Sequence, residues 1–250
     1  MPKILIRLFI ALLATFLWNS IYAADQFPPV SGVIALSSGQ VTIKTTSLDG
    51  KVSNRNGAIG QPIYLNDEIK TGAQARVQLL LKDQSVFNIG QNSVLMIDKF
   101  VYDPAKSQLS VNIERGAFKF VSGKISNSNS EAMQVKLPNA TIAVRGTRVA
   151  GEVNPEGAST VVLLHGVVDV TSTAQGASST ATLSKSGWGV QVGNTGAISA
   201  PSLLPADAVK GILQKAGVNT AAIPAAGGTT QTAATVSPSA VTGQSNSGLS

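Results

Sequence analysis

Two arginines, Arg145 and Arg148, flank a Gly146-Thr147 pair in the stretch ATIAVRGTRVAG. A guanidinium is a planar, permanently charged fork that matches a carboxylate or a phosphate. In a regular extended strand the two would not cooperate. Arg145 and Thr147 would share one face and Arg148 would take the other. A glycine turn at 146 would bring them together instead. The stretch is therefore either a structural turn between two strands or a contact surface for an anion or partner. Arg145, Gly146, Thr147 and Arg148 are the candidate interaction residues.

Little else in the chain points to catalysis. There is no cysteine, hence no disulfide, no thiolate nucleophile and no Cys-ligated zinc. The single histidine, His165 in VVLLHGVVDV, is expected on the strand face of Val161 and Leu163, as a core or sheet-edge residue. No GxSxG elbow and no DxDxDG calcium loop occurs. Asp67-Glu68 point to opposite faces if extended and read as a solvated turn rather than an acid/base pair. Aromatic residues make up only 5%, which leaves few platforms for a sugar-cleaving groove. Tyr64, Tyr102 and Trp188 are the candidates for a small stacking patch, with core packing the default for Trp188. No catalytic, cofactor-binding or metal-binding residue is assigned.

The elements that must position the arginines read as strands. RVQLLLK puts Val77, Leu79 and Leu81 on one face. LSVNIE puts Leu109, Val111 and Ile113 inward, with Ser110, Asn112 and Glu114 outward. GWGVQV puts Trp188, Val190 and Val192 together. Such period-two alternation marks half-buried strands. Turn signals fall at LDG (48–50), NRNG (54–57), KDQS (82–85), YDP (102–104) and NPEG (154–157). A glycine followed by alternating apolar residues recurs in GQVTI, GAFKFV, GVVDV and GWGVQV, which suggests that each strand is entered from a tight glycine turn. The expected fold is all-β: a compact rolled sheet or short β-solenoid-like body over 33–200. A short helical segment over 201–215 and a disordered low-complexity tail over 216–250 follow it. The helix expectation rests on Leu204, Val209, Ile212 and Leu213, with Pro205-Ala206-Asp207 as its start. From Ala216 onward there is no charged residue, and such composition buries too little to offset chain entropy.

Lys3 and Arg7 precede the apolar run Leu8–Trp18, and small residues follow it. This is the layout of a signal peptide over 1–23, with a periplasmic or secreted product and no stable membrane insertion after cleavage. Losing Lys3 and Arg7 lowers the net charge from +6 to +4. No Lys/Arg run with interleaved aromatics appears, so nucleic acid is not an expected partner.

Several blocks, in order, resemble the FecR domain family. They are GQVTI, then GQPIYLNDEIKTGAQARVQLLLKDQSVFNIGQNSVLMID, then LSVNIERGAFKFVSGKI, then VKLPNATIAVRGTRVAG, with the closest match over 39–151. The family's D-x-I-x-T step falls on Asp67, Ile69 and Thr71, after Asn66. Its DGS turn is Asp83-Gln84-Ser85 here, without the glycine. After Gly146-Thr147, where many members carry an aromatic, this chain has Arg148-Val149. VVLLHGVVDV and LSKSGWGVQV resemble the family's closing strands. Regulatory members join a cytoplasmic anti-sigma region, a membrane helix and a periplasmic sensing domain. Only seven residues precede the apolar run here, so the expectation is a stand-alone exported module without direct sigma-factor control. The resemblance thus implies a non-catalytic binding module of the cell envelope, with an envelope protein or polysaccharide as partner. A structural protein associated with envelope polysaccharide or peptidoglycan is the second reading, and a hydrolase the third.

Overall fold

The computed structural model of the protein describes residues 27–103, 105–127, 132–174 and 179–218. The expected signal peptide lies outside these residues, as does the expected tail beyond Val218 and Pro104 of the YDP signal. Among the described residues fifteen strands form one sheet. They are β1 (Val30–Ser38), β2 (Val41–Thr46), β3 (Val52–Asn56), β4 (Pro62–Tyr64), β5 (Glu68–Thr71), β6 (Arg76–Leu81), β7 (Val86–Ile89) and β8 (Val94–Val101). Then come β9 (Gln108–Val121), β10 (Met133–Leu137), β11 (Ala140–Val153), β12 (Ser159–Ser172), β13 (Thr180–Leu183), β14 (Trp188–Val192) and β15 (Ser202–Leu203). Among the described residues an α-helix, α1 (Ala206–Lys215), follows.

The main strand order is β15-β14-β12-β11-β10-β9-β7-β6-β1-β4. β8 joins β9 and carries β5, β2 and β3 in turn, and β13 pairs with β12. The sheet rolls around one apolar core without closing on itself. Phe87, Phe118 and Phe120 lie in that core and are fully buried. The alternating faces expected for β6, for the first half of β9 and for β14 all point into this core. A second, smaller cluster lies on the outside of the roll. There α1 lays Ile212 and Leu213 against Ala150 and Val162, with Leu204, Val209 and Leu164 around them. Gly90 makes this docking possible: a Cβ there would lie 1.9 Å from the Lys215 carbonyl oxygen.

The recurrent glycines behave in two ways. Gly39 and Gly187, both at positive φ, stand in turns that open β2 and β14, as the sequence suggests. Gly116, Gly146 and Gly166 do not open strands. Each lies at positive φ inside one of three strands of 14 residues, β9, β11 and β12. The inward parity reverses at each of them. Leu109, Val111 and Ile113 give way to Phe118 and Phe120. Ala140, Ile142 and Val144 give way to Val149 and Val153. Val161 and Leu163 give way to Val168 and Val170. An extra residue on one strand, opposite fewer on its partner, is a β-bulge, and it swaps the two faces. Arg145 pairs with Val167 and Arg148 with His165, so Gly146-Thr147 stand opposite Gly166 alone.

Two expected turns are also corrected. Asn54, Arg55 and Asn56 of the NRNG signal belong to β3 and pair with β2; only Gly57 follows the strand. Asp67 is not solvated: it is fully buried, because Arg55 reaches across from β3 to meet it at 2.6 Å.

Candidate functional site

Gly146 is not a turn between two strands. β11 runs through it unbroken, and the bulge turns both Arg145 and Arg148 to the solvent side while Thr147 is buried. The strand on either side is built of β-branched and small residues, Thr141-Ile142-Ala143-Val144 and Val149-Ala150, which hold it extended. Neither arginine has an ion-pair partner among the described residues.

The bulge is pinned from both sides. The Thr147 amide donates to the Ser122 hydroxyl at 2.8 Å, and the Ser122 amide donates to the Thr147 carbonyl at 3.0 Å. Ser122 opens a loop that ends in a short 3₁₀ turn, Lys124–Asn127. That loop is anchored in turn by the Asp83-Gln84-Ser85 hairpin. Gly123 donates its amide to the Ser85 hydroxyl at 2.9 Å, and Lys124 donates to the Asp83 carbonyl at 2.8 Å. The buried Asp83 carboxylate accepts from the Ser85 amide and hydroxyl at 3.0 and 2.7 Å. Gln84 takes the positive φ of 72° that the family's glycine would adopt freely.

The result is a depression of about 390 Å³, lined by Gln84, Val121, Ser122, Lys124, Asn127, Gly146, Thr147, Arg148 and His165, among others. His165 is exposed there and does not share the buried face of Val161 and Leu163, because β12 carries an extra residue at Leu164 in the pairing with β11. Lys119 stands beside the depression on the outer face of β9, one diagonal step from Arg148 across the β9–β11 pairing. Burial, and secondarily the charge of Arg148, hold the Lys119 ammonium below its ordinary value. Lys119 and Lys124 also lack ion pairs among the described residues. Among the described residues no carboxylate lines the depression. The sequence reading missed these two lysines, since they reach the site only through sheet pairing and the loop anchor.

The aromatic candidates are engaged separately. Tyr64 stacks on Phe27 at 4.9 Å between ring centroids and carries Arg55 on its ring. Trp188 packs on the core with the Lys185 ammonium 4.8 Å above its ring centroid. Tyr102 is exposed. Among the described residues no group of three or more His, Cys, Asp or Glu is placed to hold a metal ion. No helix among them is long and apolar enough to cross a membrane.

Residues 67–169 match the family model described as FecR protein. The match begins at Asp67 rather than Gly39, extends past Gly151, and takes in every described residue that lines the depression. Two crystal structures of one protein from Parabacteroides distasonis, described as a candidate anti-sigma factor, are similar at 21% identity and a TM-score of 0.47. The alignment covers 59% of this chain and 64% of that one, so the chain spans less than two thirds of that protein's length. No curated protein matches.

Proposed function

We propose that the chain is a non-catalytic binding module of the cell envelope, exported to the periplasm or beyond, which meets an anionic partner through the face around the β11 bulge. One observation carries this reading: the bulge turns Arg145 and Arg148 to the same solvent side, where neither has a charge partner among the described residues. Two guanidiniums held on a rigid strand are pre-organised for carboxylate or phosphate, and unpaired charge speeds encounter with the opposite sign. The FecR domain match supports a sensing or interaction role, and the signal-like N-terminus supports export.

The test is a pull-down from envelope fractions with the intact chain and with Arg145→Ala, Arg148→Ala. A charge-assisted contact contributes roughly 1.5–3 kcal/mol. Each variant should therefore lose about ten- to a hundredfold in affinity for what the native chain retains. Equal retention of the same partner by both variants overturns the proposal.

A further inference from the structure

The depression at the bulge has a chemistry more specific than positive charge. We infer that it binds an acidic polysaccharide, a sugar chain bearing carboxylates. The inference rests on the proposed binding role and names its ligand.

Four cations, Lys119, Lys124, Arg145 and Arg148, stand on or beside this face, and among the described residues none has an ion pair and no carboxylate joins the lining. They come from three elements, β9, the 3₁₀ turn and β11, so they are spread over a surface rather than focused on one point. That distribution suits a polymer with repeated charges better than a single small anion. Between the cations the lining is hydroxyl and amide: Ser122, Asn127 and Gln84. Such groups pair with sugar hydroxyls directly or through water. The exposed His165 ring adds a flat surface.

A peptide is the weaker fit. Around the bulge β11 is paired on both sides, with β9 and β12, so no free strand edge is available for an extended peptide to join. Apolar side chains are scarce too, with Val121 the one large apolar residue among the described residues of the lining. Burial first, and the Arg148 charge second, hold the Lys119 ammonium below its ordinary value, and an acidic ligand would offset the second of these.

Affinity electrophoresis of the full chain tests this, in gels containing polygalacturonate, neutral dextran or polyglutamate. Polygalacturonate should retard the protein, and dextran should not. Lys119→Gln and Arg148→Gln should each weaken the polygalacturonate interaction at least fivefold, with circular dichroism and melting temperature unchanged. Raising the salt should weaken it further, since exposed charges are screened. Lys51→Gln, on the β2–β3 hairpin and outside the depression, serves as the control and should leave retardation unchanged. Retardation by polyglutamate alone overturns the glycan assignment and leaves the binding-module reading standing. Absence of retardation by polygalacturonate, or equal retardation of all variants, also overturns it. The envelope pull-down then decides the wider proposal independently.

Discussion

Arg55 and Arg148 both project from strands of the same sheet, yet they do opposite things. Arg55 donates to the Thr45 hydroxyl, the Pro62 carbonyl and the Asp67 carboxylate, and lies 5.0 Å from the Tyr64 ring centroid. Every face of that guanidinium is used to tie β2, β3 and β4 to the turn before β5. The Arg148 guanidinium has no hydrogen-bond or ion-pair partner among the described residues and lines an open depression. One arginine belongs to the fold, whereas the other is left for something outside it. The difference lies in neighbours: Arg55 faces a buried carboxylate, and Arg148 faces lysine.

The comparison breaks most easily through stability. Arg55→Ala strands the Asp67 carboxylate in the interior, and breaking a buried pair in this way costs about 3–5 kcal/mol. Urea denaturation should show that loss, while Arg148→Ala should stay within about 0.5 kcal/mol of the parent. Equal losses would mean that Arg148 is structural after all. Gly146→Val comes next. A Cβ at 146 meets nothing closer than the Asn127 side-chain oxygen at 3.9 Å, so the cost is backbone strain alone. At φ 61° a β-branched residue should cost about 1–3 kcal/mol, read from the same denaturation curves.

A third effect is on pH. Burial pushes the Asp67 carboxyl above its ordinary value, against the pull of Thr45, the Tyr64 amide and Arg55. The folded state therefore holds that proton more tightly than the unfolded chain does. Its contribution is most favourable in acid and declines as pH rises from the ordinary carboxylate value through the folded one. Asp98 runs the other way. Burial raises its pKa, but the Lys136 and Ser110 contacts outweigh burial and hold it low. Its contribution is present above the ordinary value and fades as pH falls through the folded one. Asp67→Asn should remove the first slope and Asp98→Asn the second, measured as unfolding free energy against pH. The smallest effect is at Gln84. Gln84→Gly relieves a positive φ at the cost of a more flexible unfolded chain, for a net gain of up to about 1 kcal/mol in melting experiments.

Side-chain alternation was legible because it is local. β6, β14 and the first half of β9 could be read straight from their residues, as could the helix face carrying Ile212 and Leu213. The bulges were not legible. A glycine before an alternating run looks the same whether it opens a strand or interrupts one, and only the pairing partner decides. A signal was nevertheless present in LSVNIERGAFKFV. The inward positions run 109, 111, 113, then 118 and 120, and that five-residue step is incompatible with an unbroken alternation. Counting it places Lys119 outside, where the structure has it. Asp67 escaped for another reason: its partner lies on a different strand, twelve residues away in sequence. The loop carrying Lys124 is held by Asp83 and Ser85, some forty residues earlier, a dependence no local pattern reveals.

The bulge in β11 gives the strand two phases of mutational tolerance. Before Gly146 the outward positions carry odd numbers, Thr141, Ala143 and Arg145; after it they carry even ones, Arg148, Ala150 and Glu152. Substitutions that the first half accepts at odd positions would enter the core in the second half. Losing Gly146 would join the two halves into one unbroken alternation, arginines still outward and valines still inward, but would shift one half by a residue against β9 and β12. The ladder can tolerate exchange at this place far better than deletion, so the spacing of the two arginines is locked by the strand pairing on either side.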